Sequence, residues 1–288
     1  MSSEWALVIF TVLAQASVGS FIVLTLLKQT FAKSSGVEQS EAMILKPFAA
    51  LFPLVVLAML ASLLHLNSPS RAPLSIFNLG SSWLSREILC ICLFALVWLL
   101  YVVFSWKKAG SPVLRKGFLW VGIVAGLLTV ASMSKIYMLE IQPAWNTLMT
   151  PFIFFGSTFA IGGSLAVVIL YIFNREETVP VLRTGVVVSV VGAVVALVGV
   201  VGRYLILSGS GIAAVSASAA LITSDYLSLF VAGIIALAFG LGLTVLVDNK
   251  IKKKSFSLTY ANLALAAIVL GLVLDRLVFY SAHIRTGF

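Results

Sequence analysis

Eight long apolar runs, separated by short polar stretches, dominate this sequence. They cover about Trp5–Leu27, Phe48–Leu66, Ile88–Trp106, Phe118–Met138, Pro151–Phe173, Gly185–Leu207, Leu227–Val247 and Leu258–Ala282. Each is long enough to cross a hydrocarbon layer roughly 30 Å thick, which requires about 20 apolar residues. Unpaired backbone groups are not tolerated in lipid, and the runs lack the alternation of a membrane β-barrel. We therefore expect eight transmembrane helices.

The composition excludes a water-soluble fold. Hydrophobic residues make up 61% of the sequence and charged residues 10%, whereas a soluble domain carries roughly 25% charged residues. The first run has no preceding lysine or arginine and can span the membrane, so we expect it to be retained rather than cleaved as a signal peptide. The small-residue stretch Gly209–Tyr226 is expected to be a connector or a surface for a partner. The sequence predicts an all-α, polytopic integral membrane protein with one anchor domain over residues 1–288.

The distribution of basic residues predicts an orientation. The net charge of +9 could indicate a nucleic-acid partner, but in a membrane protein basic loops remain on the cytoplasmic side. Thirteen of the 19 lysine and arginine residues lie in the loops after the first, third, fifth and seventh runs. These loops should be cytoplasmic and both termini periplasmic. We expect membrane lipid, and no nucleic acid, around this protein.

One polar stretch, LLHLNSPSRAPLSIFNLGSSWLSRE (Leu63–Glu87), separates the second and third runs. His65 ends one run and Glu87 begins the next, so two antiparallel helices would bring them to the same depth. A histidine beside a carboxylate can accept and transfer protons near neutral pH. The alternative is that His65 is an interfacial residue and Glu87 only complements a helix dipole. The apolar spacing over Ile76–Leu84 also predicts a short interfacial helix containing Trp83.

A second polar group lies near the end of the eighth run. Asp275 and Arg276 are adjacent, while Arg276, Tyr280 and His283 share one helical face. They could form a site, or they could be an ordinary helix end whose long side chains reach the interface. Gln15, inside the first run, is of a type that most often bonds a neighbouring helix.

Histidine and cysteine numbers limit the possible redox cofactors. A bis-histidine haem requires two axial ligands, and the sequence contains only His65 and His283, both predicted to lie outside. One haem is possible by number but is not expected. The two cysteines, Cys90 and Cys92, point to different faces of one helix, so they favour neither a shared metal nor a disulfide. We expect no metal, no haem and no covalently bound cofactor.

Four segments resemble the membrane anchor subunit of bacterial dimethyl sulfoxide reductase. They are EWALVIFTVLAQASVGSFIVL, MLASLLHLNSPSRAPLSIFNLGSSWLSREI, PAWNTLMTPFIFF and DRLVFYSAHI. The most specific part is His65-Leu66-x-x-Pro-x-Arg71-Ala72, followed by Asn78 and by the stretch Ser82–Ile88. The sequence departs from the family pattern at Ser3, where histidine is frequent, and at Asn67, where glycine is common.

This resemblance implies a haem-free anchor in the bacterial inner membrane. Such an anchor oxidises menaquinol near the outer face and passes the electrons to an iron–sulfur subunit, which feeds a molybdopterin catalytic subunit in anaerobic respiration. His65 and Glu87 are similar to the family positions implicated in quinol binding, and we expect them to be catalytic. The expected quinol-binding residues are His65, Arg71, Trp83, Glu87, Arg276, Tyr280 and His283. The alternatives are a small-solute transporter, a purely structural anchor, or the anchor of a related molybdoenzyme with another terminal acceptor.

Reporter fusions test the orientation. A reporter fused at Arg285 should be active in the periplasm, and one within Lys250–Lys254 should be active in the cytoplasm, because basic loops resist translocation. The opposite pattern would place the predicted quinol site on the cytoplasmic side and overturn the expected geometry.

Overall fold

A computed structural model describes residues 5–64 and 77–284 of the protein. Within these ranges the backbone forms helices connected by short turns. The helices are α1 Trp5–Ser35, α2 Val37–Leu64, α3 Trp83–Trp106, α4 Pro112–Tyr137, α5 Met149–Asn174, α6 Val179–Ser208, α7 Ala213–Ser224, α8 Leu227–Lys252 and α9 Leu258–Ser281. A single 3-10 turn, Arg175–Thr178, links α5 to α6.

Eight of these helices are long and apolar enough to cross a membrane, which confirms the predicted all-α architecture. Most extend beyond the predicted runs. Helix α2 begins at Val37, eleven residues before the predicted start at Phe48. Its polar first turns are held by Glu41, which forms an ion pair with Arg115 of α4. The helix therefore extends beyond its apolar residues, because contacts to other helices stabilise the polar turns.

The order of the helices gives the bundle two ends with different chemistry. We name the end at which α1 begins and α9 ends the terminal face; α2 ends and α3 begins there too, and it carries the connections 77–82, 138–148 and 209–226. The other end, named the basic face, carries the connections at Gly36 and at 107–111, 175–178 and 253–257. The described parts of the Leu63–Glu87 stretch, residues 63–64 and 77–87, thus lie at the same face as the end of α9. Which face is periplasmic stays a prediction.

Helices α1 and α5 form the centre of the bundle, and their backbones touch. A side chain on Gly162 would collide with the backbone of Gly19, and a side chain on Gly19 would collide with the carbonyl oxygen of Thr158. Helix α6 packs against α5 in the same way, with Gly192 against the backbone at Ala160. Small residues allow this close approach, which replaces the hydrophobic effect as the source of helix association in lipid.

An aromatic cluster joins α1, α2 and α3. The ring of Phe21 lies 5.0 Å from Phe48, 5.2 Å from Phe94 and 5.2 Å from Trp98, each in an edge-to-face arrangement. The indole Nε1 of Trp98 donates to the carbonyl oxygen of Phe48 at 3.1 Å. The cluster therefore fixes the buried face of α3 against the bundle.

The stretch Gly209–Tyr226 connects α6 to α8 and contains the helix α7, which the sequence analysis did not predict; alanine has the highest helix propensity and is frequent here. Whether it is a docking surface stays a prediction. The interfacial helix expected over Ile76–Leu84 is wrong in its described part. Residues 77–78 are 3-10 helical and residues 79–81 form a turn. Trp83 instead begins α3, because Ser82 caps that helix by accepting from the backbone N–H of Ser85.

The backbone contact between α1 and α5 predicts that a glycine-to-alanine substitution destabilises the protein more at this contact than at an open position of another helix. Gly162→Ala should lower the free energy of unfolding by about 1–3 kcal/mol, because the added methyl group meets backbone that cannot rotate away. Gly242→Ala in α8 is the matched control, since a methyl group there has nothing within 4 Å. Titration of each purified variant with sodium dodecyl sulfate measures its free energy of unfolding. Equal free energies for Gly162→Ala and Gly242→Ala would contradict the close α1–α5 contact.

Candidate functional site

Glu87 stands at the terminal-face end of the buried stripe of α3. Ile91, Phe94, Trp98 and Tyr101 continue this stripe at helical spacing and are buried. Glu87 therefore points into the bundle rather than toward lipid. Arg86 fixes the start of α3 against the preceding turn. Its Nε donates to the carbonyl oxygen of Leu79 at 2.8 Å, and its Nη2 donates to the carbonyl oxygen of Gly80 at 2.8 Å.

The carboxyl group of Glu87 is buried without a bonding partner among the described residues. Glu87 is only 4% exposed. Within residues 5–64 and 77–284, no side chain or backbone group forms a hydrogen bond or ion pair with it. It lies close enough to the hydroxyls of Tyr137 and Tyr280 to interact with them electrostatically. An acidic group buried in a membrane bundle is costly, which makes Glu87 a candidate for a functional role.

Two buried tyrosines connect α4 and α9 beside Glu87. The hydroxyl oxygens of Tyr137 and Tyr280 are 3.0 Å apart, so one hydroxyl donates to the other. Thr11 of α1 approaches the Tyr280 hydroxyl. Helices α1, α3, α4 and α9 thus each contribute a polar side chain to one small region of the terminal face.

The connection between α4 and α5 covers this region with Trp145. Its indole Nε1 donates to the carbonyl oxygen of Phe279 at 2.8 Å, and its ring stacks on the Phe279 ring with 5.2 Å between centroids. The ring of His283 lies 4.1 Å from Trp145, and its Nδ1 is 2.8 Å from the carbonyl oxygen of Tyr280. We name Glu87, Tyr137, Trp145, Tyr280 and His283 the terminal cluster.

A separate ion network lies about one helical turn deeper. Arg203 of α6 donates from Nη2 to Oδ1 of Asp275 at 3.1 Å, and both side chains are buried. Nη2 of the buried Arg276 lies 3.4 Å from Oε1 of Gln15 and 3.4 Å from Oγ of Ser157. The Arg276 guanidinium also lies 3.9 Å from the centroid of the Phe154 ring. This network joins α1, α5, α6 and α9, and it confirms that Gln15 bonds a neighbouring helix.

The predicted site residues fall into three groups. Glu87, Tyr280 and His283 meet in the terminal cluster. Arg276 lies in the deeper ion network, and Trp83 is part-exposed at the start of α3, with its ring 4.2 Å from the guanidinium of Arg86. His65 and Arg71 lie outside the described residues, so the pairing of His65 with Glu87 stays a prediction.

Sequence reasoning missed several side chains of this region. Tyr137, Trp145, Thr11 and Arg203 were not among the expected site residues. A signal for Arg203 was available: an arginine inside an apolar helix requires a partner, and Asp275 lies near the same end of another helix.

The chemistry of the terminal cluster is that of proton transfer and hydrogen bonding. It combines a carboxyl group, two phenols and an imidazole, all near one end of the bundle. Across the described ranges, no group of three histidine, cysteine, aspartate or glutamate residues is arranged to hold a metal ion. The side chains of the cluster suit a small oxygen-bearing ligand that exchanges protons.

Comparison with known proteins assigns the family. The family model of the DMSO reductase anchor subunit matches residues 1–282. The C subunit of anaerobic dimethyl sulfoxide reductase from Escherichia coli (strain K12) is 31% identical over 292 aligned positions, which cover 99% of this protein and 96% of the relative. The YnfH subunit of an anaerobic dimethyl sulfoxide reductase from the same organism is also 31% identical, with the same coverage. With its eight apolar helices, the protein is a multi-pass protein of the bacterial inner membrane. It belongs to the DMSO reductase anchor subunit family.

Proposed function

We propose that this anchor subunit oxidises menaquinol at the terminal face and passes the electrons to an iron–sulfur subunit. Membership of the family makes the protein the membrane anchor of a DMSO reductase complex. The observation that carries the finer proposal is the buried carboxyl group of Glu87 beside the tyrosine pair, to which no described residue bonds. A purely structural anchor would gain nothing from burying this group at a cost in stability.

Oxidation of a quinol requires bases close to its hydroxyl groups. Menaquinol releases two electrons and two protons as it becomes menaquinone. His65 is the proposed first base, because a neutral imidazole accepts a proton near pH 7 and can transfer it. Glu87 orients that imidazole or relays the proton, and Arg71 stabilises negative charge that develops on the quinol oxygen. The electrons pass to the iron–sulfur subunit and then to a molybdopterin catalytic subunit.

The other predicted residues have supporting roles in this proposal. Tyr280 and His283 border the quinol ring from the α9 side, and Trp83 contacts it from the start of α3. Arg276 holds α9 in place through Gln15 and Ser157, one turn below Tyr280. It is thus a positioning residue unless the quinol reaches deeper into the bundle. The anchor itself needs no bound cofactor for this step, because menaquinol is its substrate.

Substitution of Glu87 and His65 tests the proposal in the assembled complex. Glu87→Gln keeps the shape of the side chain but removes its acid, and His65→Ala removes the base. Each should lower menaquinol-dependent reduction of the acceptor by about 10²–10⁴-fold, the range of general acid–base catalysis. Reduction driven by a dye that donates directly to the soluble subunits should be unchanged. Glu38→Gln is the matched control, since Glu38 is exposed at the basic face.

The two activities separate chemistry from assembly. If quinol and dye activities fall together, the residues are structural. If quinol activity survives both substitutions, the base lies elsewhere and His283 becomes the next candidate.

The same proposal predicts where the electron-accepting partner docks. Electrons must reach the first iron–sulfur cluster over a short distance, so the partner should contact the terminal face. A photo-crosslinking residue at Phe77 or Leu148, which are 81% and 72% exposed, should link to the iron–sulfur subunit. The same residue at Val113, 78% exposed at the basic face, should not. Mass spectrometry of the linked products measures this, and links found only from Val113 would refute the docking geometry.

A further inference from the structure

A cavity of about 350 Å³ opens at the basic face between α1, α2 and the start of α4. It lies at the opposite end of the bundle from the terminal cluster, so the proposed quinol chemistry does not use it. Its lining residues are Lys28, Gln29, Ala32, Val37, Ser40, Glu41, Pro112, Val113, Lys116, Leu119 and Trp120.

Lys28 is the least expected residue of this cavity. It is only 8% exposed, yet no described residue forms a hydrogen bond or ion pair with its ammonium group. Its Nζ instead lies 5.7 Å from the centroid of the Tyr101 ring. A buried cation with no directly bonded partner is costly, and the open side of the cavity is the direction from which an anion can reach it.

The acidic residue in the cavity interacts with Lys28 electrostatically but makes its direct bonds elsewhere. Glu41 accepts from Nε and Nη2 of Arg115 at 2.7 and 3.1 Å, and from Oγ of Ser105 at 2.8 Å. Its carboxylate is therefore bonded directly to Arg115 and not to Lys28. Lys28 and Lys116 remain, and together they give the cavity an excess of two positive charges.

The walls of the cavity indicate an amphiphile rather than a small ion. Val37, Val113 and Leu119 supply apolar surface beside the two lysines. Trp120 is half-exposed next to them, and tryptophan side chains concentrate at the headgroup level of a bilayer. Basic pockets between transmembrane helices bind anionic headgroups in this setting.

We propose that this cavity binds the phosphate headgroup of an anionic phospholipid. Lysine ammonium groups bind phosphate as point charges, and Lys28 and Lys116 would contact the phosphodiester from two sides. The acyl chains would then lie along the apolar surface of α4. A quinone ring is a poorer fit, because it is uncharged and brings no negative charge to the two ammonium groups.

Lipid binding to the purified full-length protein tests this proposal. Native mass spectrometry with added phosphatidylglycerol gives the affinity of wild type, Lys28→Gln and Lys116→Gln. Each substitution should weaken binding about fivefold, the effect of one lysine charge close to an anionic headgroup. Lys107→Gln is the control: it removes the same charge from an exposed position of the basic face outside the cavity and should leave affinity unchanged. Lys116 is exposed, so its variant serves even if Lys28→Gln fails to fold.

Two competitors identify the source of the anion. Excess inorganic phosphate and excess menaquinone should both leave phosphatidylglycerol bound. Displacement by phosphate would indicate a site for a free anion, and displacement by menaquinone would indicate a second quinone site; either result would overturn the proposal. An equal loss of affinity in the Lys107→Gln control would also overturn it, because binding would then follow overall charge.

Discussion

The cost of placing charge in an apolar solvent determines where this protein can carry chemistry. In the described bundle, the buried charges of Arg203, Asp275 and Arg276 compensate one another or bond to polar side chains of other helices. Glu87 and Lys28 are the exceptions, because no described residue bonds either one. They lie at opposite ends of the bundle, and Lys28 lines an open cavity. The same constraint thus separates structural charges from candidate binding groups.

Much of the fold could be predicted because lipid restricts the backbone so strongly. Runs of about 20 apolar residues have few alternatives to spanning helices, and all eight were identified. The ends were less predictable. Polar residues such as those between Val37 and Phe48 remain helical because partners on other helices hold them, and apolarity alone carries no signal of this. Helix α7 was missed for a related reason: it is too short to span, and its small residues are equally typical of a connector.

The site could be predicted only in outline. Titratable residues near helix ends are easily found, and three of them, Glu87, Tyr280 and His283, meet in the terminal cluster. Contacts between distant parts of the sequence were not predictable, since the 3.0 Å approach of Tyr137 to Tyr280 depends on how α4 packs relative to α9. Apolar helices of similar composition can pack in many orders, and one sequence does not select among them. The position of Arg276 below the terminal cluster was not predictable for the same reason, since it also depends on how α9 packs against its neighbours.

The glycine contacts at the centre of the bundle have a consequence for energy conservation. Where α1, α5 and α6 meet backbone to backbone, a methyl group does not fit, and a file of water molecules would need still more space. A continuous file of water therefore does not fit between α1, α5 and α6 at these contacts. Under the proposed function, protons released by a quinol at the terminal face would not cross the bundle between these three helices. The anchor could then hold a redox enzyme at the membrane without discharging the proton gradient that the rest of the respiratory chain maintains.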